Sequence, residues 1–355
     1  MSSPSVTSTA SAAADPRVAR ARAAVLLGGR SSERDISLVS GDAMFQALRA
    51  PPGDARGPAE LRRVEILPDG RWEFDGRRAS PPAAVAALED VDVYVLGLHG
   101  GEGEGGVLQG LLRAAGKAFT GAGHEASALC LDKTNARLVV GAHGLRTARA
   151  LAVTPLGFAE LKDAVLAELA SWGTGWVTKR RRGGSSLGTR VVRDPAQLAG
   201  GIEEGLANGD DVLVEEEVRG VEATVGILGN PEEGLRALTP VEIRPHAGRF
   251  FDYEEKYSAG GALEFCPPER LDAAACATLQ ERALRAYRAL GCECYARVDF
   301  IVPPDGEPVF LEANTLPGLT PRSLLPQAAA ADGLDFRSLC LELVRLALQA
   351  KRTPL

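Results

Sequence analysis

The chain has 355 residues, 45% hydrophobic and 25% charged, with a formal net charge of −7. That length calls for two or three packed units rather than one core, and the acidic balance argues against a nucleic-acid partner. The six cysteines form no CxxC pair, so free thiols in a reducing compartment are expected rather than zinc, and no run of about 18 apolar residues offers a membrane span.

Residues 1–22 are rich in Ser, Ala and Thr and lack the apolar centre of a signal peptide. They read as a disordered tail of a cytoplasmic protein. The run AAVLLG at 23–28 predicts a strand that stops at Gly28-Gly29. A helix is expected from about Asp35 to Arg49, with Ile36, Val39, Ala43 and Ala47 on one face. Residues 50–60 are rich in Pro and Gly and read as a loop. Strands are expected at 64–67 and 91–98, the second apolar enough for a buried parallel sheet. Strands alternating with helices up to about 122 indicate an α/β layer unit.

Helical patterning runs from 125 to about 145 and again from 158 to 171. Residues 176–179 and 190–192 read as the arms of a hairpin with the loop 180–188 at its tip. Segments 211–217 and 223–228 resemble antiparallel strands. A long helix covers about 272–290. Two strands, 295–302 and 308–313, follow around the turn Pro304-Asp305-Gly306, and helices at 323–330 and 335–349 close the chain.

Four constellations carry chemistry. On the last hairpin, Glu312 and Asn314 share one face by the alternation of a strand, and the partner strand can set Asp299 beside them with Arg297 on the same face. Two carboxylates and an amide oxygen suit a hard cation such as Mg2+, and the apolar flanks imply a buried sheet where unpaired carboxylates are costly. Lys179-Arg-Arg-Arg-Gly-Gly-Ser-Ser-Leu-Gly188 supplies glycine turns, backbone N–H groups and the hydroxyls of Ser185 and Ser186, as a phosphate cradle does. A strand pattern follows it, which fits neither a Walker loop nor a dinucleotide fingerprint. It also fits a solvated basic turn. The acids Glu215, Glu216, Glu217 and Glu222 follow an apolar strand, and one of them can accept from an adenine amino group or a ribose hydroxyl. Glu33 lies just beyond the first strand, where α/β sheets bind ligands, and His99 ends the strand 91–98 in the same topological place. Both also fit structural roles, the first as a helix start capped by Ser32 or Asp35. Only six of the 40 basic residues are lysines, at 117, 133, 162, 179, 256 and 351, so those in motifs stand out.

In order, these segments resemble the D-alanine–D-alanine ligase family of the ATP-grasp superfamily, from about residue 23 to 349. The carriers are GGRSSERDISLVSG at 28–41, LHGGEGEGGVLQGLL at 98–112, LDK at 131–133 and KRRRGGSSLG at 179–188. LVEEEVRGVEATV at 213–225, FDYEEKY at 251–257, RVDFIV at 297–302 and LEANTLPGLTPRSLLP at 311–326 complete the set.

The resemblance implies an ATP-grasp fold behind an N-terminal Rossmann-like α/β domain. The expected division is a tail at 1–22, a substrate domain at 23–122, a central ATP-grasp unit at 123–210 and a C-terminal unit at 211–350. It implies ATP as co-substrate, two Mg2+ ions (Mn2+ as a substitute) on Asp299, Glu312 and Asn314, and a homodimer with no membrane partner. Lys133, Lys179 and Lys256 match phosphate contacts, with Ser186 in the glycine loop. Glu215 and Glu222 match nucleotide-binding acids, with Glu216, Glu217 and Val218 beside the adenine. Arg297 and the Gly318 N–H match the stabilisers of a tetrahedral intermediate. Glu33, with His99 nearby, matches the anchor of the first D-alanine; Ser323 and Leu324 match the carboxylate site of the second. Ser185 and Tyr257 match partners of Glu33 in a triad that closes a lid at about 245–262. The implied product is D-alanyl-D-alanine for peptidoglycan synthesis, made through an acylphosphate. Three positions depart from the family pattern: Arg180 for Pro, Gly183 for an acid and Gly105 for Asp. They leave open a ligase with another second substrate, D-lactate or D-serine, and a nucleotide-binding regulator without turnover.

Overall fold

The computed structural model describes residues 15–49, 56–173, 175–184, 188–245 and 262–350. Among them three sheets form. The first has Arg22–Gly28 at its centre, parallel to Glu60–Ile66 on one side and Val93–Leu96 on the other, with Ala118–Phe119 beyond. Every residue of Arg22–Gly28 after the first is buried, as expected of a parallel strand covered on both faces. A short antiparallel extension, Trp72–Phe74 and Arg77–Ala79, continues the edge. The sequence pattern did not reveal it, because three-residue strands are too short to show a period.

The expected helix at 35–49 spans Arg34–Leu48, but its buried face is Ser37, Ser40, Gly41, Met44 and Leu48. Val39 is 60% exposed, so the expected apolar face of Ile36, Val39, Ala43 and Ala47 is corrected. The cause is polar: Ser37 donates to the Glu33 carbonyl at 3.0 Å and accepts from His99 N at 2.9 Å, and Ser40 Oγ lies 2.8 Å from His99 Nε2. Gly41 brings the helix so close to the sheet that a Cβ would sit 2.3 Å from Leu27 Cβ.

The expected helix at 125–145 is two helices, His124–Leu131 and Lys133–Ala142. Asp132 breaks it: its backbone is extended, and its carboxylate caps Asn135 N at 3.2 Å while gripping Arg181 and Arg182. Lys133 therefore starts a helix instead of lying within one.

The second sheet is wholly antiparallel, in the order Arg190–Val192, Trp176–Arg180, Val212–Glu216, Ala150–Val153. The third runs Leu263–Phe265, Val241–Arg244, Val221–Asn230, Tyr295–Val302, Val309–Asn314, Arg146–Thr147, with Gly234–Ala237 on Val221–Asn230. The segments expected at 211–217 and 223–228 are both strands, but they belong to different sheets and do not pair with each other. Sheet pairing thus groups Val212–Glu216 with the central unit, although the expected boundary at 211 separates them. The helices Leu324–Ala331 and Phe336–Gln349 share one apolar core with the first sheet and its helices. That shared core presses the end of the chain against Arg34–Leu48. No helix among the described residues is long and apolar enough to cross a membrane.

Candidate active site

The hairpin Tyr295–Val302/Val309–Asn314 is the keel of the site. Its register sets Asp299 opposite Glu312 and Arg297 opposite Asn314, as the alternation of the sequence implied. A register shift between Asp299 and Phe300 re-aims the strand beyond them. Asp299 is buried and bound on several sides: Arg297 donates two hydrogen bonds, at 2.9 and 2.8 Å, Asn314 Nδ2 donates at 3.1 Å, and Thr224 Oγ1 donates at 2.5 Å. Glu312 meets the Lys133 ammonium at 3.1 Å.

Lys133 Nζ also donates to the Gly183 carbonyl at 2.6 Å, so one ammonium ties the glycine loop to the hairpin. Burial disfavours that charge, but Glu312 more than offsets it and holds the Lys133 pKa above its ordinary value. Lys179 Nζ lies 2.6 Å from Glu215, whose other oxygen is held by Arg137. Glu217 is fixed by Arg193 at 2.6 Å and Arg219 at 3.5 Å. The hydrogen bonds from Arg193 keep the Glu217 carboxyl below its usual range.

Two cavities open on this keel. One, of about 570 Å³, is lined by Lys133, Lys179, Glu215, Glu216, Glu217, Val218, Glu222, Asp299 and Glu312. Every expected nucleotide contact within the described residues lines this space, and it is large and polar enough for a nucleoside triphosphate. The other, of about 530 Å³, is lined by Glu33, His99, Arg297, Ser323 and Leu324, the expected substrate set, with Gly318 and with Asn314, which was expected as a metal ligand beside Asp299 and Glu312. Gly184 borders both. Ser185, Ser186, Lys256 and Tyr257, and most of the expected lid at 245–262, lie outside the described residues.

The second cavity is tightly built at its Glu33 end. A Cβ on Gly100 would lie 2.2 Å from Glu33 Oε2, and one on Gly184 would lie 2.6 Å from it. A side chain at either glycine would therefore displace that carboxylate. His99 is clamped between Ser40 and the Leu316 carbonyl, at 3.0 Å from Nδ1, and burial pushes its pKa down to about 4. It is a neutral strut linking helix Arg34–Leu48 to the 315–320 loop. At the other end, Thr320 N donates to Ser323 Oγ at 3.1 Å. Ser323 precedes helix Leu324–Ala331, so a carboxylate there meets the positive end of the helix dipole.

The sequence reading passed over two acids in this cavity. Glu104 is buried, accepts from Gly100 N at 3.0 Å, and has its pKa raised to about 7 by burial and then by Glu33. Its place in GEGEGG, one residue from the Gly105 departure, was the available signal. Glu264 lines the cavity from strand Leu263–Phe265. Nothing in its local sequence marked it.

The donor set Asp299, Glu312 and Asn314 is oxygen-only once the Asn314 amide turns its oxygen inward, and it fits a hard divalent cation. No cluster of three or more His, Cys, Asp or Glu side chains offers a competing site among the described residues.

Residues 22–122 match the sequence model of the D-ala D-ala ligase N-terminus, and 139–345 that of the D-ala D-ala ligase C-terminus. The chain is 38% identical to a D-alanine–D-alanine ligase of Halalkalibacterium halodurans, covering 92% of this chain and 99% of that one. It is 41% identical to one from Anaeromyxobacter sp., covering 90% and 94%. Among solved structures it resembles the VanG D-Ala:D-Ser ligase of Enterococcus faecalis, with TM-score 0.78, 30% identity, and 92% and 99% of the two chains covered. It also resembles a Bacillus anthracis D-alanine–D-alanine ligase complexed with ATP, with TM-score 0.75, 28% identity, and 93% and 98% covered. The fold is the ATP-grasp fold of these enzymes, and with both halves matched and near-complete coverage the chain belongs to the D-alanine–D-alanine ligase family.

Proposed function

We propose that this chain joins two D-alanines into D-alanyl-D-alanine at the expense of ATP, for peptidoglycan precursors. The observation that carries this reading is the hairpin itself. Asp299 and Glu312 face the larger cavity, while Arg297 and Asn314 face the other, two residues further along the same strands. A phosphoryl group in the first cavity and a carboxylate in the second would meet at that junction.

In this reading Lys133 and Lys179 hold the triphosphate, with Lys256 and the Ser186 hydroxyl, while Glu215, Glu216, Glu217, Val218 and Glu222 hold the nucleoside. Glu33 anchors the ammonium of the first D-alanine, beside His99. Its carboxylate attacks the γ-phosphate to give an acylphosphate and ADP. The second D-alanine, its carboxylate at Ser323 and Leu324, gives up a proton from its ammonium to solvent, and the free amine then attacks the acyl carbon as the bond to phosphate breaks and phosphate leaves. Arg297 and the Gly318 N–H take the charge that develops on the acyl oxygen. Ser185 and Tyr257 join Glu33 in closing the site against water. Asp299, Glu312 and Asn314 would hold two Mg2+ ions, or Mn2+; bound there, the metal supplies charge neutralisation on the phosphates. Catalysis is positioning and charge neutralisation, so no nucleophilic Ser or Cys is needed. A homodimer in the cytoplasm, where ATP is supplied, completes the proposal.

The test is purified protein with ATP, Mg2+ and a panel of D-alanine, D-serine and D-lactate, read by mass spectrometry. D-Alanyl-D-alanine as the main product supports the reading. A D-alanyl-D-serine product would favour the specificity of the VanG neighbour, and ATP turnover unaffected by any D-amino acid would refute it.

A further inference from the structure

The second D-alanine arrives as an ammonium, and the acceptor cavity needs a group to orient it. Four acids line that cavity: Glu33, Asp35, Glu104 and Glu264. Glu33 and Glu104 are buried together against the Gly100 turn. Asp35 is exposed on the first turn of Arg34–Leu48. Glu264 differs in being both accessible and pre-aimed. Its strand is fixed by pairing with Val241–Arg244, Glu264 opposite Ile243. Its carboxylate accepts from Gln327 Nε2, and the same amide nitrogen donates to the Arg322 carbonyl at 2.6 Å. That amide sits on the helix that follows Ser323, so Glu264 is tied to the segment that carries the acceptor's carboxylate site.

Its electrostatics point the same way. Desolvation pushes the Glu264 pKa up, and the Gln327 amide and the Arg297 charge only partly offset that. A carboxylate with unrecovered desolvation gains from a cation placed beside it. Arg297, Arg322 and Ser323 provide for the anionic end of an amino acid in the same cavity. Glu264 provides for the cationic end.

We propose that Glu264 holds the ammonium of the second substrate and so sets the enzyme's preference for an amino over a hydroxy acid as acceptor. The proposal deepens the ligase reading and rests on it. The residue acts on binding and orientation; it takes no part in bond making.

The test is steady-state kinetics on full-length Glu264→Gln, an isosteric change that leaves an oxygen for the Gln327 amide. Two quantities are read at the acceptor site: KM for D-alanine, and the inhibition constant of D-lactate, in which a hydroxyl replaces the ammonium. The expected result is a rise of about fivefold in acceptor KM, the upper range for a partly exposed ion pair. The D-lactate constant, the KM for the first D-alanine and the melting temperature should stay unchanged. Equal weakening of D-alanine and D-lactate would mean that Glu264 only braces the strand against the helix, and would overturn the proposal. So would an unchanged acceptor KM, or the selective effect appearing in Asp35→Asn instead. Wild-type protein that forms no dipeptide would sink the ligase reading itself, a result distinguishable from all of these.

Discussion

Replacing Gly41 with alanine should destabilise the protein even though alanine is the better helix former. In an open helix the change gains about 0.5–1 kcal/mol. At Gly41 the added Cβ would lie 2.3 Å from Leu27 Cβ and 3.3 Å from Leu27 Cα. Neither atom can rotate away, so the helix must lift off the sheet by more than 1 Å to restore ordinary contact near 3.5 Å. Overpacking of this kind costs about 1–3 kcal/mol. These terms leave a net loss of up to about 2.5 kcal/mol, and an overlap with atoms that cannot rotate away puts it in the upper part of that range, roughly 1–2.5 kcal/mol or about 2–10 °C in melting temperature. Gly97 faces the same seam, since its added Cβ would lie 2.5 Å from Gly41 Cα. One lift of the helix relieves both overlaps, so Gly41→Ala and Gly97→Ala together should cost less than the sum of the two. Gly200, in helix Leu198–Leu206 with nothing within 4 Å of its added Cβ, is the control, and alanine there should stabilise slightly. Thermal unfolding by circular dichroism, with ADP release measured in parallel, checks all four proteins. A Gly41→Ala protein that melts at or above the wild-type temperature would refute the packing argument.

Further outcomes concern the site. Arg297→Ala should lower kcat by roughly 10²–10³, and full turnover would remove Arg297 from the chemistry. Glu312→Gln should abolish Mg2+-dependent phosphate release while leaving the fold intact by circular dichroism; retained release at saturating Mg2+ would contradict a metal role. For Glu104 the folded pKa, about 7, lies above the unfolded value near 4.5. The folded state therefore binds the extra proton between these values, and the stability contributed by the neutral acid is lost as pH rises through 7. Glu104→Gln should thus gain stability over wild type as pH goes from 4.5 to 8, measured by urea unfolding across that range. A difference independent of pH would show that burial does not hold the proton.

The hairpin was legible in the sequence because alternation along a strand is rigid. Once 295–302 and 308–313 are strands, Arg297 shares a face with Asp299 and Glu312 shares one with Asn314, and pairing in register can bring the two pairs together, as it does. The helix Arg34–Leu48 was not legible, because its inward face is built from Ser37, Ser40 and Gly41 for reasons that lie 60 residues away, in His99 and Gly97. The break at Asp132 was hidden for a similar reason: the partners that favour it, Arg181 and Arg182, come from the glycine loop. Val212–Glu216 and Val221–Asn230 were legible as strands, but local pattern carries no record of which sheet each joins. Glu264 lay beyond sequence reasoning altogether, since its meaning comes from the cavity that it faces.

The hairpin also works as a ruler. Successive same-face positions on a strand are about 6.8 Å apart, so the step from Glu312 to Asn314 sets how far the hairpin's face on the larger cavity stands from its face on the other. A one-residue slip of Val309–Asn314 would turn Glu312 and Asn314 to the opposite face and leave Arg297 and Asp299 where they are. A two-residue slip would keep them on the proper face yet set Asp299 opposite Asn314, parting it from Glu312. The spacing between the two cavities along the hairpin is therefore carried by backbone pairing, which side-chain substitution cannot lengthen or shorten. Loops around the site can change what lines either cavity, while the step between the two stays the same.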